Sequence, residues 1–163
     1  MKIFKKLLTK KDGVTAIEFA VLAPVFFVLF MGIIEVGLTI SLDSALNTAL
    51  RAAARKGIAQ PLVGVGDIRD TLKEHMGGFY NEKRMNIIVV PYTGGIRDGD
   101  IINDMRSLRD NPEEFFRTRG GGIDNQRGQV VLYGVRYEWG GFTSLMAAFL
   151  PENLYAISVV RNE

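Results

Sequence analysis

Two successive spacings of apolar residues open the chain, and each predicts its own kind of element. Phe19 through Leu42 is 24 residues with one charge, Glu35. At about 1.5 Å rise per residue, a helix of that length is roughly 36 Å long, enough to cross a ~30 Å hydrocarbon core with some tilt. Beyond it the apolar positions thin to a stripe. Leu42, Leu46, Ala49, Leu50 and Ala53 share one helical face, with Asp43, Asn47, Arg51 and Arg55 off it, which predicts an amphipathic helix continuing the first. Its alanines favour helix, and Arg55 and Lys56 suit the negative C-terminal end before Gly57.

The pattern then shortens. Gln60 to Gly66 reads as a Pro/Gly turn, and Asp67 as the cap of a helix from Ile68 to about Met76, ended by Gly77-Gly78. Met85–Tyr92, Gln129–Trp139 and Leu154–Arg161 are β-branched, aromatic and short, and are predicted as strands. Residues 93–128 are glycine-dense and charged, and read as a surface excursion with a mobile glycine tip. Within them Asn111-Pro112-Glu113-Glu114 starts a short helix over 112–118. Phe142 to Leu150 is predicted as a short apolar helix halted near Pro151. The expected fold is α+β: a long N-terminal helix packed on a small antiparallel sheet with short helices.

Charge gives the long helix a direction. Residues 1–13 hold five lysines against Asp12, while the rest of the 163-residue chain is slightly acidic. A basic stub beside an apolar span places the N-terminus in the cytoplasm and the remainder outside it. The basic balance therefore reflects topology, and no nucleic-acid surface is expected. The run is longer than the usual 7–15 residue core of a secretory signal, and no clear A-x-A-like site follows it, so a signal anchor fits better. The chain has no cysteine and one histidine, His75, which excludes disulfides, thiolate chemistry and multi-His metal sites.

Gly13-x-x-x-x-Glu18-Phe19, followed by Ala20-Val21-Leu22-Ala23-Pro24, then Gly32-Ile33-Ile34-Glu35-Val36-Gly37 and Arg51-Ala52-Ala53-Ala54-Arg55, resembles the TadE/TadF-like pseudopilins (minor pilins) of tight-adherence, or Flp, type IV pili. The terminal Val159-Val160-Arg161-Asn162-Glu163 is similar as well. The strong part of the likeness lies in residues 1–57. It implies that a membrane-embedded prepilin peptidase cuts between Gly13 and Val14, making 1–13 a cytoplasmic leader. It implies a transmembrane assembly helix over 14–42, an amphipathic extension over 43–59, and an exported domain over 60–163. It also implies that Glu18 meets the new N-terminal amine of its own or a neighbouring subunit.

The residues themselves leave alternatives open. A carboxylate in hydrocarbon costs several kcal/mol unless paired, so Glu18 either finds such a cation or sits at the headgroup boundary, solvated by water and lysines. Glu35, a second polar site roughly 25 Å further along, either snorkels to the outer interface or makes a contact between subunits. Pro24 removes one rung of the helix ladder: it is a simple kink, or a place where the helix loosens during extraction. Ala16/Ala20 and Gly37/Ser41 allow close helix approach.

Elsewhere the bland assignment is preferred: His75 as a surface residue, Gly64-x-Gly66 as a turn, Asp98, Asp100 and Asp104 without EF-hand spacing, and Tyr137 and Trp139 as packing. No motif joins a nucleophile to a base, so no enzyme and no cofactor is expected. The leading expectation is a single-pass inner-membrane subunit of pilus assembly. Its partners would be the peptidase, other pilins, the assembly platform and membrane lipid. An uncleaved, membrane-anchored envelope scaffold and a type II secretion pseudopilin are the alternatives.

Overall fold

The computed structural model describes residues 11–59, 65–92, 99–119, 128–143 and 148–161. Helix α1 is Lys11–Ala59, 49 residues in which the helix continues through Pro24. The chain divides into two compact units, Met1–Leu38 and Thr39–Glu163.

In the second unit the amphipathic stripe is buried. Leu42, Leu46, Ala49, Leu50, Ala53 and Ala54 are all at most 1% exposed, as the i, i+4, i+7 spacing requires. Helix α2 (Val65–Met76) lies beside the end of α1, where the Lys56 Nζ donates to the Thr71 hydroxyl at 3.1 Å. It begins before Asp67, so that residue lies in the first turn and is not the cap.

Strands β1 (Met85–Tyr92), β2 (Val130–Glu138) and β3 (Asn153–Arg161) form one antiparallel sheet with β2 in the centre. Its register runs from Met85 opposite Tyr137 to Tyr92 opposite Val130, and from Val130 opposite Arg161 to Glu138 opposite Asn153. Side chains alternate between faces along a strand, so a strand covered on only one side reads as alternating apolar and polar. Val130 through Val135 is instead buried without a break, because β2 is covered on both sides. Tyr133, on one face, lies against Gly57 of α1; a Cβ on that glycine would overlap the phenol. Val130 and Leu132, on the other, join Ile88 and Tyr92 in a core completed from helices α3 (Gly99–Asp110) and α4 (Pro112–Thr118). Gly134 keeps that second face thin, since a Cβ there would meet Ile88 and Phe116.

Two further expectations need correcting. Residues 99–119 are two helices whose Ile101, Leu108, Phe115 and Phe116 complete the core, so the segment is not a surface excursion. Its predicted 112–118 helix is present, capped by Asn111, whose side-chain oxygen accepts from Glu114 N at 3.3 Å. The glycine tip at 120–122 lies outside the described residues. The predicted helix over 142–150 is not formed in its described part: residues 142, 143 and 148–150 are bends and turns. Apolar spacing misled there: Phe142, Leu145, Met146 and Phe149 fall at helical intervals, yet the run is short and bracketed by Gly140-Gly141 and Pro151.

Candidate functional site

The first unit offers surface and little else. From Thr15 to Ile34 nearly every side chain is exposed, including Phe19, Phe26, Phe27, Phe30 and Ile33 at 61–73%. In water such a surface is unstable, since each exposed aliphatic or aromatic side chain forgoes roughly 1.5–3 kcal/mol of burial. The helix is long and apolar enough to cross a membrane, and its most apolar window has no residue buried within the chain. Phe19, Ala23, Phe26, Phe27 and Phe30 fall on one stripe and line an apolar notch of about 250 Å³. Ala23 is the one small residue of the five, and small residues permit close helix approach.

The candidate residues sit on this helix as follows. Gly13 and Val14 belong to the first turns of α1. Glu18, Pro24, Ala16 and Ala20 are exposed, as are Gly37 and Ser41. No atom lies within 4 Å of the place a Cβ would take on Gly37, so this glycine leaves room for a neighbour beyond the chain. Glu35 differs from Glu18: it is 1% exposed and has an interaction partner. The structure therefore separates the two glutamates by environment, one outward-facing and one enclosed.

In the second unit the polar residues are structural. Trp139 is buried, and its Nε1 donates to the Thr39 hydroxyl at 2.9 Å, joining the end of β2 to the first residue of the domain's own stretch of α1. Tyr137 donates to the Phe79 carbonyl at 2.7 Å. Asp104, only 4% exposed, accepts from Tyr92 at 2.6 Å and pairs with Arg119 at 2.6 Å, so both of its oxygens are engaged. Burial, reinforced by the hydrogen bond to Asp104, holds the Tyr92 phenol well above its usual range. Burial also raises Tyr137 and Tyr155.

Asp100 is exposed on α3, and Asp98 and Gly64 lie outside the described residues. The His75 Nδ1 donates to the Thr71 carbonyl at 2.9 Å on the outside of α2. Among the described residues, no three His, Asp or Glu side chains are grouped to hold a metal.

The Tyr92–Asp104–Arg119 group and the Thr39–Trp139 bond had no local signature. Tyr92 and Asp104 belong to different elements, and 100 positions separate Thr39 from Trp139.

Residues 13–55 match the family model of the TadE-like proteins. The matched stretch starts at the glycine of the predicted cleavage site and ends within the buried stripe, so it contains Glu18, Pro24 and Glu35. No curated protein and no solved structure matches the chain.

Proposed function

Starting from a TadE-like N-terminal helix whose first half leaves its apolar surface uncovered, we propose that this chain is a pseudopilin-type subunit for assembly of a Tad (Flp) pilus. It sits in the bacterial inner membrane with its N-terminus in the cytoplasm and its α+β domain outside. It acts by packing and not by catalysis. The observation that carries this reading is the coincidence of the family match with the helix surface that the chain itself never buries.

Prepilin peptidase cuts after Gly13 and releases the lysine-rich leader. The new α-amine at Val14 then lies four residues, about one helical turn, from the outward-facing Glu18. In a low-dielectric setting the ammonium and carboxylate neutralise one another, within one subunit or between neighbours, and so fix how far adjacent helices slide. The phenyl-lined notch around Ala23 takes a side chain of the adjacent pilin helix.

Co-expression with and without a prepilin peptidase, followed by N-terminal sequencing of the mature product, tests the reading. A chain beginning at Val14 only when the peptidase is present supports it. A product still starting at Met1, or one cut after residue 40, overturns it. Glu18→Gln should be processed normally yet fail to assemble; normal assembly would remove the ion pair from the scheme. If Gly13→Ala blocks cleavage without loss of function, the uncleaved scaffold is the better description.

A further inference from the structure

The two edges of the sheet are unequal. Trp139 N donates to the Glu152 carbonyl at 2.8 Å, and with the register this bond sets the alternation along β2 and β3. Tyr137, Val135, Tyr133 and Val131 turn their N–H and C=O groups to β3, and the residues between them turn theirs to β1. The outward groups of β1 therefore belong to Met85, Ile87, Val89 and Pro91. Those of β3 belong to Tyr155, Ile157 and Val159, with Asn153 and Arg161 at the ends. The β1 edge is closed: Pro91 has no N–H, Val89 is 1% exposed, and α2 packs beside the strand.

The β3 edge is open. Among the described residues, no backbone group bonds to its outward row. Leu154 to Val160 contains no proline and no charge, the usual devices that keep an edge from pairing. Tyr155 and Val159 lean on the core beneath α3 and α4, while Ile157 between them is 40% exposed. A further strand would complete that cover. The ends of the row differ in charge. Arg161 has no ion pair among the described residues. At the other end, Glu113, Glu138 and Glu152 line a cavity beside Asn153 and outnumber Arg84 and Arg136.

We propose that β3 takes an antiparallel strand from a different subunit. The segment it fits has a carboxylate opposite Arg161, apolar residues opposite Val159, Ile157 and Tyr155, and a lysine or arginine opposite Asn153. Antiparallel order continues the sheet as it is built. A second copy meets these needs poorly: its β1 edge is closed, and its β3, laid antiparallel, sets neutral Asn153 opposite Arg161. Naming the partner a subunit of the assembly rests on the pilin reading, whereas the open edge does not.

The probe is the peptide acetyl-Asp-Thr-Val-Thr-Val-Thr-Val-Thr-Lys-amide, added to the full chain in detergent, with amide exchange followed residue by residue by NMR. In the free chain Tyr155, Ile157 and Val159 should exchange fast, and Ala156 and Ser158 slowly. Millimolar peptide should slow the first three about tenfold and leave the other two unchanged. Methylating the amide of the fifth peptide residue, which donates to the Ile157 carbonyl, should abolish the slowing; methylating the fourth should not. Ile157→Pro, which removes an outward N–H only, should abolish it at Tyr155 and Val159 while the Trp139 fluorescence stays native. No slowing, or equal slowing by both methylated peptides, overturns the proposal. Slowing without peptide that grows with protein concentration shows a second copy on the edge, and overturns the choice of partner. These failures leave the N-terminal sequencing result, and with it the pilin reading, as it stands. A chain that binds the peptide but still starts at Met1 sinks that reading and keeps the open edge.

Discussion

One continuous helix is built for two solvents. Between Thr15 and Ile34 it turns phenylalanine, valine and leucine to every side and covers almost none of them. Between Leu42 and Gly57 it is apolar on one stripe only, and that stripe is sealed. Backbone and secondary structure are the same in both. The difference lies in where the complementary surface is found: within the chain for the second stretch, outside it for the first. The same substitution chemistry should therefore have opposite consequences in the two halves.

Leu46→Ala against Phe26→Ala is the largest contrast. Leu46 is fully buried, so its truncation should cost about 2–5 kcal/mol of domain stability. Phe26 is 69% exposed, and its loss should stay within about 0.5 kcal/mol. Urea unfolding of the full chain in detergent, followed through its single tryptophan, Trp139, measures both. Comparable losses would overturn the contrast.

A next, smaller effect separates close packing in the domain from open space on the helix. Gly134→Ala puts a Cβ about 2.8 Å from Ile88 Cγ1 and 3.0 Å from Phe116 Cζ, so about 1–3 kcal/mol should be lost. Gly37→Ala meets nothing within 4 Å of the chain and should leave the monomer as stable as before. If packing between subunits uses that space, Gly37→Ala should instead reduce the yield of assembled material.

The polar group under α3 gives a smaller and pH-dependent change. Tyr92→Phe removes the hydrogen bond to Asp104 and should cost about 1–2 kcal/mol near neutral pH. Tyr92 has its folded pKa raised above the ordinary 10.0, so its contribution is complete below that value. It is lost as pH rises from 10 towards the folded pKa, because the unfolded chain then gives up the proton first. The stability gap between wild type and Tyr92→Phe should therefore be full at pH 8 and narrower at pH 11. A gap that widened with pH would reverse the assignment.

The smallest expected change is at Trp139→Phe, which keeps the buried ring but loses the bond to Thr39, for about 1 kcal/mol.

Dense periodicity is what made much of this molecule legible beforehand. The two parts of α1, the three strands and the Asn111-Pro112 helix start each carry their own signal within a few residues. Helix α3 was missed because Ile101, Met105 and Leu108 do have helical spacing, but sparsely, among charges and beside glycines. Residues 142–150 mislead for the opposite reason: Phe142, Leu145, Met146 and Phe149 have clear helical spacing, but in a short run held between Gly140-Gly141 and Pro151. In the candidate site, Gly13 and Glu18 stand out by spacing from the lysine stub, whereas the enclosure of Glu35 does not. Enclosure depends on which surface comes to lie over a residue, and that is a tertiary fact. What Glu18 pairs with belongs to an assembly, so one chain's pattern names the carboxylate but not its counter-ion.

The central position of β2 also makes its two pairings unequal in closure length. Tyr92 must find Val130, closing a long segment before the first pair of the sheet exists, whereas Glu138 and Asn153 are near neighbours in sequence. The shorter closure favours the C-terminal hairpin over the pairing of β1 by about 1 kcal/mol or less. Because the stripe from Leu42 to Gly57 precedes Tyr133 and its strand in the chain, it waits uncovered until β2 is in place. The domain therefore carries an unfinished apolar core until its C-terminal hairpin arrives, and in that interval the stripe is open to another surface.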